Sequence, residues 1–408
     1  MDKLQEAEML YKNHKIEEAL PLLKELAEEN CGRAMYFLGE IYMNGFGPVR
    51  QDPEEAKRWR EKGAACGDLL AKLNLAYFME YGTQEMMEHC AACLEEARKL
   101  AESGDVFAQN EIADLYLFGF GTKRNEAEAI YWLEKSAAGG FWRPLMKLGD
   151  IYRGGEAVEE DMEKSVACYK KAAEFHVREA ESSLGFIYFA GLGVEPDDRK
   201  AFAHFKKACE EGDGEASFML GRFYMEGIAV KPDEKKGFQY FRQAADRGEP
   251  MGMWALGRSY ESGTGVEIDE KNAFQWYEKG AAMLDFRSTC AVADCYRFGK
   301  GVAEDKEKAV EIYKNAFDLG SDEAADSLGA MYLVGETRHS EEEAFRWFEK
   351  GAGRGSDICQ YHLGMCYDKG LGTEPDKEKA LEYMYKAYDQ GMLDALEYIK
   401  ENMGIRLQ

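Results

Sequence analysis

Leu184-Gly-Phe-Ile-Tyr188-Phe-Ala-Gly191-Leu-Gly193-Val194 decides the fold, because the same word returns along nearly the whole chain. Its leading aliphatic residue falls at Leu38, Leu75, Ile112, Leu148, Leu184, Leu220, Leu256, Val292, Leu328 and Leu363. The spacings are 37, 37, then 36 six times, then 35. A period in that range marks a stacked array in which each unit buries one face against its neighbours. The position after the leader is always small, as in Gly39, Ala113, Gly185 and Gly257. Four residues after the leader comes Tyr in nine units, with Met79 in the second. Leader and Tyr are i and i+4, so they share a helix face, and the small residue beside them admits a second helix at close range. Seven residues after the leader every unit has Gly, from Gly45 through Gly155 to Gly370, the residue suited to a left-handed helix stop.

A second helix follows in each unit. Asp52, Asp197, Asp233, Asp269, Asp305 and Asp376 stand where N-caps are needed. Behind them run stretches such as Ala273-Phe-Gln-Trp276-Tyr277-Glu-Lys-Gly-Ala281-Ala282, apolar at helical spacing. No run of alternating β-branched residues competes with this reading. These words, together with Lys200-Ala201 to Ala208, resemble the Sel-one-like repeat family, relatives of the tetratricopeptide repeat. The resemblance implies an all-α, right-handed α/α superhelical solenoid of about ten helix–turn–helix repeats over residues 31–391. Residues 1–30 read as a divergent helical pair acting as a cap, and 392–408 as a C-terminal capping helix from Leu393 to Met403. Two helices per unit, two at the start and one at the end make 23. Units two and three depart most, with Gln84 for the second loop glycine and Thr122-Lys-Arg at the usual Val and Asp positions, so their loops are expected to differ.

The 52 basic residues against 77 acidic ones leave a formal charge of −25. Nucleic acid and anionic membranes both require a basic footprint, so neither is expected as a main partner. The start, Met1-Asp-Lys-Leu-Gln-Glu, has neither a basic nor an apolar leader region, and no apolar run approaches membrane-spanning length. The expectation is a cytoplasmic protein. Secreted members of the resembling family carry a disulfide in each repeat between cysteines eight apart; eight after Cys209 stands Ser217. The irregular placement of the ten cysteines fits reduced, mostly buried thiols.

Local signs of chemistry are weak. His89-Cys90-Ala-Ala-Cys93 places two thiols on one helix face, but a zinc site needs a second ligand pair, and only Cys66 offers itself as a third ligand. Gly191-Leu-Gly193, Gly263-Thr-Gly265 and Gly299-Lys-Gly301 follow helices rather than strands, which fits turns and not phosphate cradles. No His-Glu-x-x-His occurs, and no Ser is followed three residues later by Lys. No catalytic residue, metal ligand or cofactor is assigned.

Positions two before, two after and five after the leader face away from the Leu-Gly-Tyr surface. They carry Met146, Arg153, Phe186, Phe189, Phe218, Arg222, Trp254, Arg258, Arg297 and Tyr361, residue types enriched in interface cores. Arg222 and Arg258 occupy one offset 36 residues apart, Arg153 and Arg297 share another, and Arg143 and Arg287 precede their leaders by five. Such a wall would hold a peptide bearing carboxylates, with arginine forks on the acids and aromatics on apolar anchors. The competing reading has these side chains packing and pairing within the chain, through Asp150, Asp294 and Glu261. The expected function is a non-catalytic scaffold or adaptor for a protein or peptide partner carrying acidic residues. The alternatives are a hydrolase acting on a peptide or cell-wall fragment, and a self-assembling homo-oligomer.

Overall fold

A computed structural model describes residues 2–154 and 159–402; Gly155 and Met403, to which roles were assigned above, lie outside the described residues. The chain divides into two compact units, Met1–Asp213 and Gly214–Gln408. The first contains α1 (Lys3–Lys12), α2 (Ile16–Glu28), α3 (Gly32–Asn44), α4 (Pro53–Ala65), α5 (Leu69–Leu73), a 3₁₀ turn (Asn74–Phe78), α6 (Gln84–Glu102) and α7 (Val106–Phe118). It continues through α8 (Glu126–Ala138), α9 (Arg143–Gly154), α10 (Met162–Ala173), α11 (Arg178–Ala190) and α12 (Asp198–Glu210). The second contains α13 (Gly214–Glu226), α14 (Glu234–Asp246), α15 (Pro250–Ser262), α16 (Glu270–Ala282), α17 (Phe286–Phe298) and α18 (Lys306–Asp318). It ends with α19 (Asp322–Val334), α20 (Glu341–Gly353), α21 (Asp357–Lys369), α22 (Lys377–Asp389) and α23 (Leu393–Asn402). The 23 α-helices are consecutive pairs of the solenoid class, and no strand occurs among the described residues.

One set of contacts rebuilds each pair. Leader+1 meets the residue eight after the second helix's N-cap: a Cβ on Gly185 would lie 2.6 Å from the Phe205 ring, and one on Gly221 2.4 Å from that of Phe241. The chain then turns left-handed at leader+7, as at Gly263 with φ +77°. The loop closes when the N-cap amide donates to the leader+4 Tyr carbonyl, as Asp197 does to Tyr188 and Asp269 to Tyr260, both at 2.9 Å. The cap side chain meanwhile accepts from the amide three residues on, Asp269 from Asn272 at 3.0 Å. All six predicted Asp caps do this. The second loop glycine docks the repeat on its predecessor: a Cβ on Gly301 would lie 2.1 Å from the Glu270 carbonyl oxygen.

The second pair breaks this pattern. Its first helix is one turn, α5, followed by the 3₁₀ turn. The break coincides with a change in the pair before it. Eight residues after the N-cap, where other pairs carry Tyr169, Phe205, Phe241, Tyr277, Tyr313 or Phe348, α4 carries Arg60. Its guanidinium donates to the Asn74 carbonyl at 3.3 Å and lies 5.3 Å from the Tyr77 and Phe78 rings. That carbonyl belongs to the residue where α-helix gives way to 3₁₀. With the first helix cut short, α3 and α7 approach each other directly: Arg33 bridges Asp68 at 3.1 Å and Asp105 at 3.0 Å.

The N-terminal pair reaches far beyond its neighbour. Tyr11 stacks among Phe37, Phe107 and Phe141 with ring centroids 4.7–6.1 Å apart, and Lys12 donates to the Gly139 carbonyl at 3.1 Å. The result is a continuous core from Ala7 to Ala180. At its centre lies α7, buried at every position from Phe107 to Tyr116.

Candidate functional site

A fully buried helix in an array of this kind should be apolar, yet α7 carries Gln109, Asn110, Glu111 and Asp114 inside its buried stretch. Buried polar groups of this sort must find partners or carry a desolvation cost. The first unit supplies partners from four elements around a cleft of about 380 Å³. Glu40 of α3 is the anchor. Its Oε1 accepts from Arg60 at 2.5 Å and from Asn74 Nδ2 at 3.2 Å, and its Oε2 accepts from Arg143 of α9. Arg143 also donates to Asn44 Oδ1 at 3.3 Å. Asp114 takes Lys147 Nζ on both oxygens, at 2.7 and 2.6 Å. Glu111 Oε1 accepts from the Tyr36 hydroxyl at 2.9 Å and from Asn110 Nδ2 at 3.4 Å.

These environments drive two neighbouring carboxyls apart. Burial by itself would raise Glu40, but Arg143 and Arg60 outweigh it and hold the carboxyl at about 2. Burial raises Glu111 as well, and there the charges of Glu40 and Asp114 add to it. The pull of Lys147 and Arg143 is smaller, and the group reaches about 7. Asn110 Oδ1 and Arg60 Nε are buried without a hydrogen-bond partner. Met43, Leu117 and Ile151 give the cleft an apolar wall, while the Tyr77 and Phe118 rings are 48% and 53% exposed beside it.

The residues singled out from sequence fall into different surroundings. In the first unit, Arg143 is drawn onto Glu40, Arg153 is exposed and pairs with Asp150 at 3.0 Å, and Met146, Phe186 and Phe189 are half-buried. Phe186 packs edge-on against Phe205 with centroids 4.9 Å apart. In the second unit, Phe218 is buried against Phe241, and Arg222 pairs with Glu226 at 2.9 Å. Arg258 is exposed and lies 5.1 Å from the Trp254 ring, and Arg287 covers Phe286 at 4.4 Å. Arg297 makes a two-pronged contact to Glu336, with Nε 3.0 Å from Oε2 and Nη2 2.5 Å from Oε1. Tyr361 is half-buried, edge-on to Tyr398. Two and five after the leader, Arg153, Phe186, Phe189, Arg222, Arg258 and Arg297 stay at least partly exposed, but Glu40 and Asp114 at the first of these offsets are buried, as are Tyr36, Leu73 and Phe218 two before it. Ion pairs repeat in register as well: Glu261 takes Lys300 at 2.6 Å as Arg297 takes Glu336, each 39 residues on.

Glu40, Arg60, Asn110 and Glu111 escaped the sequence reading. Two signals were present: an arginine in the slot that six other pairs fill with Tyr or Phe, and a Gln-Asn-Glu run directly before the leader Ile112. Of the ten cysteines, all free, Cys90, Cys93, Cys209, Cys290, Cys295, Cys359 and Cys366 are buried, as expected. Among the described residues no group of three or more His, Cys, Asp or Glu side chains is arranged to hold a metal ion. No described helix is long and apolar enough to cross a membrane.

The regular pairs define a class, and comparison with known proteins gives its family. The Sel1 repeat profile matches residues 32–68, 106–141, 145–174, 178–213, 214–249, 250–283, 287–321, 322–356 and 357–392, so the chain belongs to the Sel1 repeat family. The gap between the first two matches is the distorted second pair. The crystal structure of c5321, a protective antigen of uropathogenic Escherichia coli with an SLR fold, is similar: TM-score 0.62, 28% identity, 95% of this chain and 84% of that one covered. An uncharacterized protein of Neisseria meningitidis is 28% identical over 196 residues, 41% of each chain. The DAP3-binding cell death enhancer 1 of Rattus norvegicus is 32% identical over 89 residues, 22% of this chain and 17% of that protein. The matches thus span less than half the length of these curated relatives. Proteins of the Sel1 repeat family are generally non-catalytic protein-interaction scaffolds.

Proposed function

We propose that this chain is a non-catalytic scaffold that grips an acid-bearing segment of a protein partner, using the residues two and five after the leader in its first helices. The observation that carries the reading is the state of Arg222 and Arg258. They occupy one offset on adjacent repeats of the second unit, and Arg258 is exposed and spread against Trp254. Arg222 is held by Glu226 one helical turn on, both half-exposed. Exposed pairs of that spacing are worth about 0.3–0.5 kcal/mol, so a partner carboxylate presented bidentately can displace Glu226. Trp254 and Tyr361 stand two before their leaders and are half-buried, and Phe218 at that offset is buried against Phe241. Within the first unit by itself, Arg153, Phe186 and Phe189 stand at these offsets and Met146 two before its leader; the pair of Arg153 with Asp150 is equally exposed. Arg297, locked on Glu336 with both side chains under 20% exposed, contributes shape more than a free charge. The family supports the scaffold reading. The test compares wild type with the Arg222→Glu, Arg258→Glu double variant in affinity capture from source lysate, with circular dichroism to show that both are folded. A partner held by wild type and lost by the variant supports the reading. A partner held equally by both refutes it.

A further inference from the structure

The cleft in the first unit has an imbalance of hydrogen-bonding groups that its own residues do not correct. Both oxygens of Glu40 and of Asp114 are taken. Asn110 is different. Its amide nitrogen reaches Glu111 Oε1 at 3.4 Å, and its oxygen is buried with no partner in a cleft-lining residue only 2% exposed. Glu111 is bonded through Oε1 alone among the described contacts, leaving Oε2 available. The guanidinium groups and Lys147 are committed to carboxylates, and the unpartnered Arg60 Nε lies against α3, 3.3 Å from where a Gly39 Cβ would sit. Asn110 Oδ1 is thus an unmet acceptor beside a carboxyl, a pair that a cation meets with charge-assisted hydrogen bonds. Its apolar wall of Met43, Leu117 and Ile151 suits a methylene stem, and the exposed Tyr77 ring suits a planar or ammonium head.

We propose that this cleft is a receptor for one long cationic group, a guanidinium or ammonium on an aliphatic stem, seated on Asn110 Oδ1 and Glu111. The site is separate from the arginine-bearing series of the second unit and does not depend on it. Glu111 is faced by Tyr11 from α1, Tyr36 and Glu40 from α3, Asp114 on its own helix, Arg143 and Lys147 from α9, and Tyr77 from the 3₁₀ turn, with Arg60 of α4 lining the same cleft. A further cation arriving at this position favours the loss of its proton.

The experiment titrates the full chain at neutral pH by calorimetry with N-acetyl-arginine amide, N-acetyl-lysine amide, agmatine and the neutral N-acetyl-citrulline amide. Runs in two buffers of different ionisation enthalpy count protons. The expected result is saturable millimolar binding of at least one cation and none of citrulline, with a fraction of a proton released. Glu111→Gln should weaken that binding at least tenfold and abolish the release, and Asn110→Ala should weaken it several-fold. A capped amide binding more tightly than agmatine assigns the cation to a partner's side chain; the reverse order assigns it to a small free guanidine. Citrulline binding as well as arginine, an unchanged affinity in folded Glu111→Gln, or no saturable binding of any cation overturns the proposal.

Discussion

Glu111→Gln probes the electrostatics of the buried cluster without a ligand. Folding moves the Glu111 carboxyl from its ordinary 4.5 to about 7. A carboxyl raised in this way binds its proton more tightly in the native state. Stability is therefore highest below 4.5, falls as pH climbs to 7, and stays level above. The difference, 7 − 4.5 = 2.5, sets a ceiling of roughly 3 kcal/mol at about 1.36 kcal/mol per pH unit. Glu40 moves the other way: held at about 2, its contribution is complete above 4.5 and is lost as pH falls toward 2, outside the window of interest. His14, lowered by burial, and Asp294, raised by burial, also titrate, but both are present in variant and wild type and cancel in the difference. Glutamine keeps an acceptor for Tyr36. The variant should therefore gain roughly 2–3 kcal/mol over wild type at about pH 8.5, and the two should converge below about pH 4.5. Hydrogen exchange of the α3 and α7 peptides under mild urea reads this in the first unit alone. Parallel pH profiles, or a variant weaker at high pH, would refute the reasoning.

Arg60→Ala leaves Glu40 buried with one cation fewer and should cost about 3–5 kcal/mol, read as a lowered urea midpoint. Gly221→Ala drives a methyl to 2.4 Å from the Phe241 ring and should cost about 1–3 kcal/mol in the same measurement. Ser340→Ala removes the cap that accepts from the Glu343 amide at 3.2 Å, a loss of about 1 kcal/mol. In the native protein, exposed Cys66 should alkylate with iodoacetamide first, while Cys290, Cys295, Cys359 and Cys366, whose thiols burial pushes up to about 12, react only on unfolding. Peptide mass spectrometry distinguishes them.

The regular repeats were legible because each contact within them is local and repeated. Leader, small residue, Tyr, glycine and Asp cap lie within some 13 residues of one another, so their spacing carries the geometry. The cleft was not legible for the opposite reason. Arg143 meets Glu40 across 103 residues and Tyr36 meets Glu111 across 75, and no period links them. What the sequence held was the exception: Arg60 in an aromatic slot and polar residues ahead of Ile112. The arginines of the inner offsets were located by period, but their partners were not. Arg297 and Arg153 share an offset, yet only Arg297 finds an acid 39 residues on, at Glu336; the same place after Arg153 holds Leu192.

This contrast bears on cooperativity. In a one-dimensional array a local defect loosens its neighbours and stops there. The second unit has that character: Glu261–Lys300 and Arg297–Glu336 each join adjacent repeats. In the first unit Arg60 holds the distorted second pair, and one buried cluster ties the first, third and fourth pairs together, with Tyr11 packed beside it. Loss of Arg60 should therefore raise exchange in α3, α5, α7 and α9 together. Gly221→Ala should raise it only in α13, α14 and the helices that touch them. If Arg60→Ala loosens α4 and the 3₁₀ turn alone, the cluster is a set of independent pairs, and the first unit is an ordinary array with one irregular repeat.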